Sequence, residues 1–272
     1  MNAYVTLDLM KSGAVLNITG SEHDERLLML LESVSRQVDA YCNRHFFTLR
    51  RAIALDGDGS TGLRIPDLVS VDAGGLATDE DGDRIFEDVW DESDYLLHPA
   101  NADPTGGHDL SSPYTGIVVD TESGDRSAFA AGMLRVSIAG EWGYWLRIRQ
   151  AFESVAASLD AESGDMDVSG GEDIGVGHTL LVGSEQIYVH GRDENQLAVL
   201  RGVNGSKAAA HTAGAKVGIY QYPGPVSEAV IIQASRLWKR RDSASADATG
   251  FVGGLDPDAV ELLAPYRKIV AI

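Results

Sequence analysis

The chain contains a single cysteine, Cys42, in 272 residues, which excludes any intrachain disulfide. It is also poor in positive charge, and in lysine above all. Five lysines and seventeen arginines face 41 acidic residues, giving a formal net charge of −19. A surface this acidic repels phosphate backbones and disfavours direct nucleic-acid binding. No apolar run approaches the roughly 18–20 residues that cross a bilayer, so no membrane partner is expected. The opening MNAYVTLDLMKSG lacks the basic start and apolar core of a secretory signal, and none is expected.

Motifs of chemistry are equally sparse. Seven histidines are scattered without His-x-x-x-His or Glu-x-x-His spacing. Gly175-Val176-Gly177 lacks the third glycine and the following helix that would cradle a pyrophosphate. Neither Ser184 nor Ser243 lies in a nucleophile elbow. The sequence therefore predicts no catalytic, cofactor-binding or metal-binding residues, and not an enzyme. Asp56-Gly-Asp58-Gly and Asp79-Glu-Asp81-Gly-Asp83 look like fragments of calcium loops. The first lacks the later bidentate acid such a loop needs, neither is flanked by a pair of helices, and both read as hairpin turns, in which glycine supplies positive φ.

What the chain does have is two amphipathic helices far apart in sequence. Glu22 to Asn43 places Leu27, Leu31, Val34, Val38 and Tyr41 on one stripe, with Ser21 as the expected N-cap. Pro225 to Ser243 places Val226, Val230, Ala234, Leu237 and Trp238 on another and ends in Lys239-Arg240-Arg241, cations that suit a helix C-terminus. Neither stripe is buried by its own helix, so the two are predicted to pack together. Between them, strands are predicted at 48–55, 62–65, 69–73, 94–97, 116–119 and 133–138, forming an antiparallel β lobe over 46–140. A short helix is predicted over Ile148–Leu159. Residues 160–223 alternate strongly and suggest an inserted small β-barrel or sandwich. The final segment opens with Asp256-Pro257, an N-cap and a first-turn proline, behind a Gly/Ser/Ala-rich linker at 243–254.

This arrangement resembles the head–tail connector (adaptor) proteins of tailed phages. The matching pieces, in the family's order, are YVTLDLMKS, LLMLLESVSRQVDAYCNRHF, LDGDGSTGLRIPDLVSV, GEWGY, QASRLWKRRDS and DPDAVELLAPYRK. The insert's LLVGSEQIYV…LAVLRGVNGSKAAAHTAG is similar to a small β-module of phage structural proteins. Residues 160–223 depart from the family pattern, because there GEWGY leads almost directly into the basic-ended helix.

The expected fold class is α+β: a small helical bundle from 1–159 and 224–272, bearing the β lobe, with the β insert as a separate appendage whose ends lie close together. The resemblance implies a virion neck subunit. It would form a ring, most often dodecameric, beneath the portal, contacting itself, the portal and tail or head-completion proteins, while DNA passes without specific binding. A negative lumen suits that role; a lysine-poor, acidic surface equally suits a high-salt host.

The C-terminal arm is expected to reach the portal through Lys239, Arg240, Arg241, Val260, Leu263 and Tyr266. Trp142, Tyr144, Trp145 and Trp238 are read as either core packing or subunit interface. Two readings from other classes remain: a tail or baseplate module whose β insert recognises glycans or protein, and a calcium-assisted hydrolase.

Overall fold

The computed structural model describes residues 2–106, 112–240 and 254–268, and combines helices with two antiparallel sheets, an α+β protein. Arg241, most of the 243–254 linker and residues 269–272 lie outside the described residues. The chain divides into two compact units, one of residues 1–45 with 148–272 and one of residues 46–147.

In the first unit, α1 (Leu7–Lys11) is capped by Thr6, whose hydroxyl accepts from the Leu9 N–H. Helix α2 (Asp24–Cys42) buries Leu27, Leu31, Val34 and Val38, the predicted stripe. Its N-cap is His23 rather than the expected Ser21, which closes the first turn through its carbonyl, accepting from Asp24 at 3.1 Å. Asn43 ends the helix in the left-handed region at φ 53°, a conformation asparagine tolerates. Helix α3 (Gly224–Arg240) buries Val226, Val230, Ala234 and Trp238. It runs against α2 in the opposite sense, Gln233 donating to Gln37 at 3.1 Å and Trp238 meeting the His23 ring edge-on at 5.5 Å. Helix α4 (Pro257–Leu263) is capped by the Asp256 carboxylate, which accepts from Asp258 at 3.1 Å.

The second unit is a single sheet. Its strands are β1 (Leu49–Gly57), β2 (Gly62–Thr78), β3 (Asp88–Val89), β4 (Tyr95–His98), β5 (Tyr114–Val119) and β6 (Gly132–Trp142). The order is β1-β6-β2-β5-β4, with β3 added to β2. Two predicted strands, 62–65 and 69–73, are parts of the one long β2, which carries register shifts between Arg64 and Leu68 and between Val71 and Leu76. Leu68, Leu76, Ile117, Val136, Ile138 and Trp142 fill its core. At Gly140 the neighbouring strand comes so close that a Cβ would lie 2.2 Å from the Ser70 carbonyl oxygen.

The other sheet belongs to the helical unit: β7 (Ile148–Ser154), β8 (Asp165–Asp167), β9 (Thr179–Val182), β10 (Glu185–Asp193), β11 (Gln196–Leu200) and β12 (Lys216–Tyr220). Its order is β7-β12-β9-β10-β11-β8, and the two edges meet at one isolated bridge, Val155 to Val168. The helix expected over Ile148–Leu159 does not form. Residues 148–154 instead pair with β12, with Ala151 and Glu153 inward and Phe152 outward. The sheet thus begins at 148 rather than 160, and Ile148 pairs with Tyr220, so the chain enters and leaves it side by side.

Candidate functional site

Five consecutive apolar residues, Leu27 to Leu31, open α2, and on a helix such a run points in every direction. Leu27 and Leu31 are fully buried, whereas Met29 is 62% exposed and Leu28 and Leu30 are half-buried. Met29 stands between two cavities. One, of about 500 Å³, is lined by Leu7, Leu28, Met29, Val176 and Leu200, with Asp24, Glu25, Glu32, His190 and Arg192 around them. The other, of about 300 Å³, lies between Arg26, Met29, Leu30 and Ser33 of α2 and Leu237 and Trp238 of α3. Arg192 is already engaged, donating to the Ile174 and Gly171 carbonyls and pairing with buried Glu153 at 3.3 Å. Asp24 pairs with Lys11. Glu25 and Glu32 leave the rim acidic.

This surface is positioned by the N-terminal strap of residues 2–5, all of it buried. The Tyr4 amide donates to the Ser35 hydroxyl (3.1 Å), its phenol donates to Asp39 (2.6 Å), and its carbonyl accepts from Ser227 of α3 (2.9 Å). Burial raises the Tyr4 pKa well above that of an ordinary tyrosine, and the neighbouring Asp39 charge raises it further. The Asn2 side chain accepts from Thr179 (2.8 Å) and from Asn204 (3.0 Å), and the Leu7 N–H donates to Val176 (2.9 Å). One strap therefore ties α2, α3 and the sheet of 148–220 together. Sequence reading missed it, although a mainly apolar start followed by a capping threonine was a signal for it.

Two clusters of charge lie elsewhere in the chain. Glu185, with no exposed side-chain surface, accepts from Arg201 through both oxygens (2.7 and 2.8 Å) and from the N–H groups of Gly202 (3.0 Å) and Ala209 (3.1 Å), and it contacts His211 Nε2 at 2.7 Å. Burial raises its pKa, but these partners outweigh it and hold the carboxyl below its ordinary value. Both carboxylate oxygens are occupied, so the cluster clamps the 201–211 loop and leaves no lone pair aimed at a substrate.

In the other unit, Asp79, Asp83 and Glu87 bring carboxylate oxygens together. Asp79 is already satisfied by the Gly82 and Arg84 N–H groups (2.6 and 2.8 Å) and by Arg135 (3.1 Å), as a turn requires. Asp56 likewise accepts from the Leu134 N–H at 2.7 Å.

The aromatic candidates lie inward. Trp142 is fully buried, its indole donating to the Arg51 carbonyl at 2.9 Å; Trp145 is 4% and Trp238 7% exposed; and Tyr144 packs on Phe46 at 5.5 Å. Among the arm residues, Lys239 and Arg240 are exposed, Val260 and Tyr266 half-buried, and Leu263 fully buried. Helix α4 is docked on α3: the Asp256 N–H donates to Gln233 Oε1 at 2.9 Å, and the Asp256 carboxylate lies 3.8 Å from Arg236. The face that docks is Leu255, Ala259 and Leu263, not the expected Val260, Leu263 and Tyr266, so Leu263 has no surface left for a partner.

No helix among the described residues is long and apolar enough to cross a membrane. Compared with protein-family models, curated proteins and solved structures, the chain matches none.

Proposed function

We propose that this chain is a non-enzymatic head–tail connector (adaptor) subunit in the neck of a tailed virus. It forms a ring, most often dodecameric in the family it resembles, beneath the portal and around the DNA channel, and joins the portal to tail or head-completion proteins. The observation that carries this reading is the α2–α3 pair, drawn from the two segments that resemble the connector family, with the Leu28–Leu30 flank of α2 only partly covered among the described residues. An apolar flank beside acidic residues is what a subunit interface needs. The Glu185 and Asp79 carboxylates, both engaged by neighbouring donors, support a structural role.

In this reading the sheet of 148–220 is the small β-module of phage structural proteins, and the isolated Val155–Val168 bridge beside its two edge strands supports that assignment. The negative charge lets DNA pass without sticking. Exposed Lys239 and Arg240, with Arg241, steer the chain onto an acidic portal surface.

Native mass spectrometry of the purified full chain, alone and co-expressed with the portal of the same virus, tests the proposal. A ring-sized mass, or a ring formed on the portal, is the expected result. A strict monomer under both conditions overturns it.

A further inference from the structure

We propose that Asn204 is a site of spontaneous deamidation guarded by the N-terminal strap, and that the modified side chain in turn keeps the strap from closing. The inference does not depend on the connector reading. Val203 to Ser206 form a tight turn, the Ser206 N–H donating to the Val203 carbonyl at 3.1 Å. Its two central residues have positive φ, 56° at Asn204 and 78° at Gly205, as an Asn-Gly hairpin turn requires. Asparagine before glycine is a labile setting for a side-chain amide, because glycine has no side chain to hinder attack by its own nitrogen. Gly205 is exposed, so water and base reach it.

In the reaction, the deprotonated Gly205 nitrogen attacks the Asn204 side-chain carbonyl carbon. A new C–N bond forms as the bond to Nδ2 breaks, and Nδ2 takes up a proton and leaves as ammonia. Water then opens the cyclic imide at one carbonyl or the other, giving aspartate or isoaspartate. No oxidant or other co-reactant is needed.

The folded chain holds the reacting amide on both sides. Asn204 Nδ2 donates to Asn2 Oδ1 at 3.0 Å and to Gln186 Oε1 at 2.7 Å, and Asn204 Oδ1 accepts from Asn2 Nδ2 at 2.8 Å. Asn2 is 1% exposed and is fixed in turn by the Thr179 hydroxyl, which donates to it at 2.8 Å. Cyclisation converts the planar amide to a tetrahedral centre and expels Nδ2, so these bonds must break first. Release of the strap removes the Asn2 pair of bonds and opens the way. The product then reverses the fit. An aspartate at 204 has no hydrogen to donate, so one oxygen faces two acceptors, Asn2 Oδ1 and Gln186 Oε1. Isoaspartate also lengthens the main chain by one carbon inside the turn. Modification therefore makes strap release one-way.

The test incubates the full chain in mildly alkaline heavy-oxygen water and follows oxygen uptake at residue 204 by peptide mass mapping. Wild type is compared in native buffer and in urea, beside Asn2→Ala and the milder Asn2→Ser. Folded wild type is expected to react slower than urea-unfolded chain, and the folded Asn2 variants at least about tenfold faster than wild type. Asn204→Asp, which reproduces one product, is expected to speed hydrogen exchange about tenfold at the Tyr4 and Leu7 N–H groups, which bond Ser35 and Val176. Wild type reacting as fast folded as in urea overturns the guard, as do folded Asn2 variants that react no faster than wild type. Unchanged exchange at Tyr4 and Leu7 in Asn204→Asp overturns the latch. Should both Asn2 variants fail to fold, the urea comparison and Asn204→Asp still decide.

Discussion

Replacing Glu185 by alanine removes the one acceptor around which the 201–211 loop is organised. Arg201, only 7% exposed at its side chain, loses both charge-assisted bonds; His211 loses its partner; and the Gly202 and Ala209 N–H groups lose their acceptor. Breaking a buried ion pair from one side typically costs about 3–5 kcal/mol, because the remaining charge stays buried and uncompensated. Here Arg201 keeps bonds to the Asp160 and Ala209 carbonyls, both at 2.6 Å, so the lower end, about 3 kcal/mol, is expected. For a unit of this size that corresponds to a melting temperature lower by about 6–12 °C.

The assay is calorimetric or circular-dichroism melting of Glu185→Ala beside the wild type, repeated across acidic pH. The folded carboxyl titrates below its unfolded value, so its contribution is present above the ordinary carboxylate range and is lost as pH falls through the lower, folded value. The gap between wild type and variant should accordingly be widest near neutrality and narrow on acidification. A variant that melts within about 1 °C of wild type at pH 7, or a gap that widens as pH falls, would refute the reasoning.

Tyr4→Phe removes a buried phenol bonded to a carboxylate and should cost about 1.5–3 kcal/mol, read by urea unfolding. Tyr4→Ala should cost about 3–5 kcal/mol through the lost aromatic packing. Gly140→Ala forces a Cβ against the Ser70 carbonyl oxygen and should destabilise by about 1–3 kcal/mol, whereas Gly62→Ala, which meets nothing within 4 Å, should leave chemical denaturation of the same sheet nearly unchanged. Lys239→Glu with Arg240→Glu, both exposed, should leave the melting temperature within about 1 °C while slowing association with portal at low salt more than at high salt; equal on-rates at both salts would remove these residues from the contact.

Deleting 162–222, which suits a detachable appendage, should abolish cooperative folding of the helical unit. It strips β7 of its β12 partner and removes the Val176, Thr179 and Asn204 anchors of the N-terminal strap. A cooperative melt in that deletion would show that the strap holds the helices without the sheet.

The sequence by itself determined the two long helices, because 3.6-residue periodicity is local and Leu27, Leu31, Val34 and Val38 satisfy only one geometry. It also determined most of the first sheet, whose alternation is bounded by Asp-Gly turns. Other features depended on partners distant in sequence. Residues 148–159 carry apolar positions at both helical and alternating spacing, and pairing with β12, sixty residues on, selects the strand.

The arm was read correctly as a capped helix, yet which face it buries is decided by α3, through Gln233 and Arg236. Trp142 left both core packing and an interface open, and its place in the sheet put it inside. The partly exposed flank of α2 was also hidden, since four leucines and one methionine in succession specify burial without saying which sides the rest of the chain will cover. Local patterns fix elements because their physics is local; faces, edges and uncovered surfaces follow from which elements meet, and only the tertiary structure decides that.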